Sequence, residues 1–167
     1  NIGFNFVYGA TTYTTVQIMT NGRLQFGNKY CGFGTQSSGS PPTYALPYFD
    51  ANLNNTMRIY GADLDLSVKG TGTSCPAATC GVRYTATPIG TAPNRQFVVT
   101  WLNVPEWSQG SSSFNLQIIL SEDGSFTYQF GSFSNPSKGS AQSGWQLSAS
   151  DFFVKSKGTQ SNGTAIK

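Results

Sequence analysis

Short segments in which apolar and polar residues alternate restrict the fold of this chain more than any other feature. Residues 114–120 alternate almost perfectly, and residues 126–130 alternate again after the turn-forming sequence Glu122-Asp123-Gly124. A period of two residues indicates a strand with one buried face. The two segments therefore predict a β-hairpin.

The same signal recurs along the chain. Asn21-Gly22 predicts a tight hairpin turn, because both residues tolerate positive φ. Residues 96–102 are apolar almost throughout, which favours a position in the middle of a sheet. Further strands are predicted at residues 2–8, 13–19, 23–26, 57–68 and 82–87, with one or two more within 145–154. Many short strands, and no dozen residues with helical spacing, predict an all-β fold, an antiparallel β-sandwich or jelly roll with few or no helices.

The length of 167 residues suits a single domain with a core of its own. We predict one β-sandwich domain over residues 1–157. Within it, residues 27–47 lose all periodicity and predict one long irregular loop. Residues 158–167 are rich in Gly, Ser, Thr and Asn and predict a flexible polar C-terminal tail.

Composition argues against catalysis. The chain has no histidine and only seven carboxylates, so the usual proton-transfer side chain and the commonest metal ligand are both missing. We therefore predict that the protein is not an enzyme. The low charged fraction of 10% with abundant small polar residues is typical of secreted or surface β proteins.

Charge and hydropathy restrict the partners. The net charge of +3 is small and the basic residues are scattered, so we expect no nucleic-acid partner. No apolar run approaches the roughly 20 residues that span a bilayer, so we expect no membrane insertion.

The three cysteines allow three pairings. The segment from Cys75 to Cys80 encloses a short turn-forming loop between two predicted strands, which favours a Cys75–Cys80 disulfide. A free pair, or a bond from Cys31 to either of them, stays open. Cys31 is otherwise expected to be a small buried apolar residue.

Aromatic residues in polar loops are the candidate ligand-binding residues: Trp107, Tyr44 and Tyr48. Aromatic faces offer a large apolar area to sugar rings and peptides at a small entropic cost. The alternative is that these rings cover the ends of the sandwich.

Oxygen-bearing side chains at alternate positions, Asp50, Asn52 and Asn54, resemble the first half of a calcium loop. The twelfth position, however, is Gly61 where an EF-hand has a carboxylate, so only an irregular calcium site stays open. The alternative is a turn stabilised by Asx side chains. We predict no other cofactor.

Asp63 and Asp65 would share one face of a strand, roughly 6–7 Å apart, near the separation used in glycoside hydrolysis. Their setting is that of a structural segment, which favours a solvated strand face. We therefore predict no catalytic residue.

Several segments together resemble the nidogen-like extracellular β domain, in the version found in bacterial surface adhesins such as MSHA-type pilus-associated proteins. The resemblance spans most of residues 2–130. The matching segments are residues 2–6, 13–18, 21–26, 62–66, 82–84, 92–101 and 117–126. The long loop and the Cys75–Cys80 segment depart from the pattern.

The resemblance implies a noncatalytic module of an extracellular or cell-surface protein concerned with adhesion or assembly. Its partner would be a surface glycan or a protein. One alternative is a filament subunit that binds copies of itself by β-strand complementation. A further alternative is a carbohydrate-binding module.

Overall fold

The computed structural model describes residues 1–27, 45–67, 75, 78–107, 111–137, 141–158 and 160–167. Cys31, Tyr44 and most of the predicted loop at 27–47 lie outside these residues. The described residues contain no α-helix and one 3₁₀ helix, Ala51–Leu53. No helix in these ranges has the length and apolar character needed to cross a membrane.

Strands account for the remaining regular structure. They are β1 Phe6–Tyr8, β2 Thr11–Tyr13, β3 Gln17–Met19, β4 Arg23–Gln25, β5 Thr56–Arg58, β6 Gly81–Tyr84, β7 Gln96–Val104, β8 Ser113–Ser121, β9 Phe126–Ser134, β10 Gln142–Ser148, β11 Asp151–Lys157 and β12 Thr164–Ile166. All pairs between them are antiparallel. The predicted all-β class is confirmed.

Two five-stranded sheets form the sandwich. The first sheet has the order β11-β10-β5-β4-β3 and the second sheet the order β12-β9-β8-β7-β6, while β1 and β2 form a separate ribbon. The hairpin predicted at 114–130 is β8 and β9 in the second sheet. The segment 96–102 is β7, and it lies between β8 and β6 as predicted for an internal strand.

The core lies between the sheets and follows the alternation. Every second residue of β8 is buried, and β7 alternates in the same way from Phe97 to Trp101. Trp101 is completely buried, and its Nε1 donates to the Met19 carbonyl at 3.0 Å. The Tyr128 hydroxyl donates to the Gly144 carbonyl at 2.6 Å. Both rings thus link the second sheet to the first without leaving a buried donor unpaired.

Some predicted strand boundaries were wrong. The segment 13–19 is divided, because Tyr13 ends β2 in the ribbon while Gln17–Met19 joins the first sheet. The predicted strand 57–68 ends at Arg58. Beyond it, Asp63 and Asp65 bond to the turn after β7, through Trp107 N to Asp63 O and Asp65 N to Pro105 O.

The turn between β3 and β4 also differs in detail. Met19 pairs with Arg23, so the loop has three residues. Only Gly22 adopts positive φ, at 67°. A three-residue hairpin loop needs a single left-handed residue, so the predicted pair of left-handed residues was wrong.

The predicted flexible tail at 158–167 was also wrong. Strand β12 lies within it and pairs with β9 from Thr164↔Phe130 to Ile166↔Tyr128. Ile166 packs against the main core. The apolar residue was too isolated in a polar segment to give a periodic signal.

The Cys75–Cys80 disulfide is present. Both cysteines are buried and belong to the main apolar core. The favoured pairing is therefore confirmed.

A covering segment, residues 45–54, lies across the outer face of the first sheet. Tyr48 N donates to Gln146 Oε1 at 2.6 Å, and Gln146 Nε2 donates back to the Tyr48 carbonyl at 2.8 Å. The Arg58 guanidinium lies over the Tyr48 ring, 5.1 Å from its centroid, and donates to its hydroxyl at 2.6 Å. Tyr48 is only 2% exposed, so the expectation of an exposed loop aromatic was wrong at this position.

Two carboxylates in the β8–β9 turn, Glu122 and Asp123, accept hydrogen bonds. Arg95 donates to both oxygens of Glu122, from Nε at 2.9 Å and from Nη2 at 2.5 Å. Asp123 accepts from the Ser125 hydroxyl at 2.6 Å and its backbone N–H at 2.9 Å. The hydrogen bond from Arg95 lowers the pKa of Glu122, and the Ser125 hydroxyl is the main cause of a lowered pKa at Asp123.

These lowered pKa values predict acid sensitivity. A carboxylate whose pKa is lower in the folded than in the unfolded chain stabilises the fold above its unfolded pKa, about 4, and this stabilisation is lost as pH falls through the folded value. We expect the melting temperature to fall from about pH 5 to pH 3. The double variant Glu122→Gln, Asp123→Asn should fall less steeply in calorimetry, and should differ least from the natural chain at the lowest pH. Parallel pH profiles for the two chains would contradict this assignment.

Candidate binding site

Trp107 stands at one end of the sandwich, in the turn that follows β7. Its indole is 48% exposed, as expected for a loop aromatic available to a ligand. Its backbone N–H donates to the Asp63 carbonyl at 2.8 Å, and Leu64 forms an isolated antiparallel bridge with Glu106. The turn is therefore attached to residues 63–65, and the indole projects from a fixed backbone.

Glu106 fixes this turn from the inside. Its carboxylate is completely buried. Oε1 accepts from the Tyr60 hydroxyl at 2.6 Å, while Oε2 accepts from Ser137 N at 2.9 Å and from the Ser137 hydroxyl. Its backbone N–H donates to Ser112 Oγ at 2.7 Å. The side chain thus joins Tyr60 and Ser137 to this turn, and the backbone N–H adds Ser112.

The Tyr60 hydroxyl stays protonated in this arrangement. Burial is the main cause, and the hydrogen bond to Glu106 adds to it, so that the pKa of Tyr60 lies well above its ordinary value of about 10. Tyr60 therefore donates its hydroxyl hydrogen to Glu106, as a structural anchor requires.

Asn21 forms two hydrogen bonds to the neighbouring segment, residues 63–64. Its Nδ2 donates to Asp63 Oδ1 at 3.2 Å, and its Oδ1 accepts from Leu64 N at 3.1 Å. The β3–β4 turn is thus bonded to the same segment, 63–64, that holds the Trp107 turn. The site at this end is one exposed aromatic face, which can bind a ligand that has an apolar face.

Asp65, by contrast, is a structural residue. It is 4% exposed, and its Oδ1 accepts from Ser67 N at 2.8 Å. The shared strand face on which a carboxylate pair would depend is absent, since no strand includes residues 63–65. Asp63 and Asp65 instead attach their segment to the Trp107 turn.

The side chains of two candidate calcium ligands, Asp50 and Asn54, accept hydrogen bonds from the protein. Asp50 caps the 3₁₀ helix, its Oδ1 accepting from Asn52 N at 2.9 Å. Asn54 Oδ1 accepts from Gln146 Nε2 at 3.2 Å, 92 residues away. The Asp50 contact fits the Asx turn that the sequence offered as the alternative. Within the described ranges, no group of three or more His, Cys, Asp or Glu side chains is placed to hold a metal ion.

The sequence identified Trp107 but not Glu106. A single carboxylate between Pro105 and Trp107 gives no periodic signal, and its two partners, Tyr60 and Ser137, come from distant segments. The one available hint is that Glu106 is among only seven acids in the chain and immediately precedes an exposed-loop tryptophan.

A two-sheet antiparallel sandwich with a disulfide-bonded loop is an architecture common among extracellular β modules. The sequence model of the family described as NIDO related matches residues 1–166. The chain therefore belongs to the NIDO-related family, and the match extends the resemblance beyond residues 2–130. Neither the curated proteins nor the solved structures gave a significant match.

Proposed function

We propose that this chain is a noncatalytic adhesion or assembly module of a cell-surface or pilus-associated protein. It would contact a glycan or protein ligand through the end of the sandwich that carries Trp107. The observation behind this proposal is that Trp107 is about half exposed while its backbone N–H is bonded to the Asp63 carbonyl. Tryptophan is enriched among the residues that dominate the binding energy of interfaces.

Rigidity supports the same proposal. Glu106 and Asn21 hold the turn before any ligand arrives, so little conformational entropy remains to be lost on binding. A preformed aromatic surface is what a binding module needs. A NIDO-related domain with a disulfide is also consistent with display outside the cell.

The filament alternative is less well supported in its original form. It requires an N-terminal strand free to complete the sheet of a neighbour. Phe6 and Tyr8 of β1 are buried in the core of their own chain, and Ile2 N donates to the Thr14 carbonyl at 2.8 Å. Residues 1–8 therefore pack within their own domain and are not free to pair with the sheet of a neighbour.

A binding screen against immobilised glycans and matrix proteins tests the proposal. For any ligand found, we expect Trp107→Ala to weaken binding by about 30-fold, the effect of losing one interface hot spot, with an unchanged melting temperature. Phe49→Ala is the matched control, since Phe49 is 73% exposed on the covering segment.

Two results would contradict the proposal. One is equal loss of binding in Trp107→Ala and Phe49→Ala, which would show no special role for the Trp107 end. The other is absence of binding to every glycan and matrix protein in the screen.

A further inference from the structure

A row of polar side chains crosses the outer face of the second sheet. Thr100 on β7 is paired with Gln117 on β8, and Gln117 with Gln129 on β9. Their neighbours in each strand point into the core, so these three side chains lie side by side on the outside. They form one continuous polar row over three strands.

A depression of about 290 Å³ lies along this row. Two glycines help to form it. Gly131 lies where β9 has one residue more than β8, between the pairs Phe114↔Phe133 and Leu116↔Phe130. Gly163 starts the return into β12, and a Cβ built on it would meet no atom within 4 Å. Gly163 thus leaves open space at the groove, Gly131 allows the close approach of Asn115, and Leu102 supplies an apolar wall.

Two amide side chains in the groove have hydrogen-bonding groups that remain available to a ligand. Gln117 Nε2 donates to Thr100 Oγ1 at 2.9 Å, which orients the amide. In the described structure its Oε1 accepts no hydrogen bond, and the Gln129 amide has no protein partner at all. Asn115, in contrast, is fully engaged with Asn103 and Ser132. The groove therefore offers two amide acceptors and one amide donor group, and the Gln117 amide is oriented by its bond to Thr100.

We propose that this groove binds one ring of a neutral saccharide. A hydroxyl group both donates and accepts, as the free groups of Gln117 and Gln129 require. The lining side chains carry no charge, which offers nothing to balance a phosphate, a carboxylate or a cation. The volume is at the lower end of the range for small-molecule sites, about 300 Å³, and Leu102 can contact the C–H face of the ring.

Strand addition by a peptide does not fit this place. The backbone groups of β7, β8 and β9 are already paired with one another in the interior of the sheet. A peptide binding by β-augmentation needs a free edge. Recognition here must use side chains, which favours a compact, hydroxyl-rich ligand.

The test is an NMR titration of ¹⁵N-labelled chain with glucose, galactose, mannose and N-acetylglucosamine, each up to about 50 mM. We expect saturable shifts at the Gln117 and Gln129 side-chain amides for at least one sugar, with a dissociation constant of about 1–10 mM. Because the groove is uncharged, about 0.5 M NaCl should not change this value.

Gly163→Asn provides the blocking variant. Gly163 has φ of +73° and open space around it, and Asn tolerates this conformation better than other residues. We expect at least tenfold weaker sugar binding with the fold intact. Gly124→Asn is the matched control, because Gly124 has a φ of +88° with no atom closer than 3.9 Å to a built Cβ and lies outside the groove.

Absence of saturable shifts with all four sugars would overturn the proposal, as would equal binding by Gly163→Asn and the control. Shifts at the groove produced by inorganic sulfate instead of sugars would also overturn it. Trp107→Ala should leave the sugar titration unchanged. The proposal for the groove and the proposal for the Trp107 end are therefore tested independently of each other.

Discussion

Deletion of residues 1–8 is expected to leave the chain unfolded. Four apolar side chains of this segment are buried, namely Ile2, Phe4, Phe6 and Tyr8. Each contributes about 1.5–3 kcal/mol on burial, and together they approach the whole net stability of a domain of this size, about 5–15 kcal/mol. Circular dichroism and thermal melting of the truncated chain give the measurement.

Point variants within residues 1–8 test whether the stabilisation comes from the buried side chains of the segment. Phe6→Ala should cost about 3–5 kcal/mol. Val7→Ala, on the outward side of the same strand and half exposed, should change stability by less than about 0.5 kcal/mol. A truncated chain that folds normally but no longer assembles would contradict this account and would favour a filament subunit.

Replacement of Glu106 by Ala is expected to have the second largest effect. It leaves the buried Tyr60 hydroxyl without its acceptor and removes the same acceptor from the exposed Ser137. An unsatisfied buried donor costs about 1–3 kcal/mol, so we expect a loss of about 1–3 kcal/mol in urea denaturation.

Tyr60→Phe supplies the comparison, because it removes one donor and keeps the acceptor. It should cost about 1 kcal/mol, and the double variant should be less unstable than the sum of the two single losses. Glu106→Ala should also weaken any ligand binding at Trp107, since the turn loses its anchor. Stability of Glu106→Ala equal to that of the natural chain would show that the carboxylate has no structural role.

The features predictable from sequence were those decided by neighbours in the chain. The β8–β9 hairpin follows from alternation on both sides of Glu122-Asp123-Gly124, and the disulfide from two cysteines around a short turn. In both cases the residues that interact are close in sequence. Local patterns therefore carry the necessary information.

The remaining features depend on contacts between distant segments. Tyr48 is buried by Gln146, 98 residues away, and no local pattern indicates that partner. The polar row of Thr100, Gln117 and Gln129 exists only once the register of three strands is fixed. Asp63 and Asp65 alternate as strand residues do, but the Pro105–Trp107 turn, more than 40 residues later, takes their backbone hydrogen bonds.

The covering segment implies that two parts of the domain can differ in stability. Leu46, Tyr48 and Leu53 form an apolar cluster of their own, separate from the main core. The surface beneath them is polar, with Arg58, Gln142 and Gln146, so water could replace the lost contacts if the segment lifted away. Local opening there would leave the sandwich intact, and the guanidinium of Arg58 would become a cationic group at the surface of the folded domain.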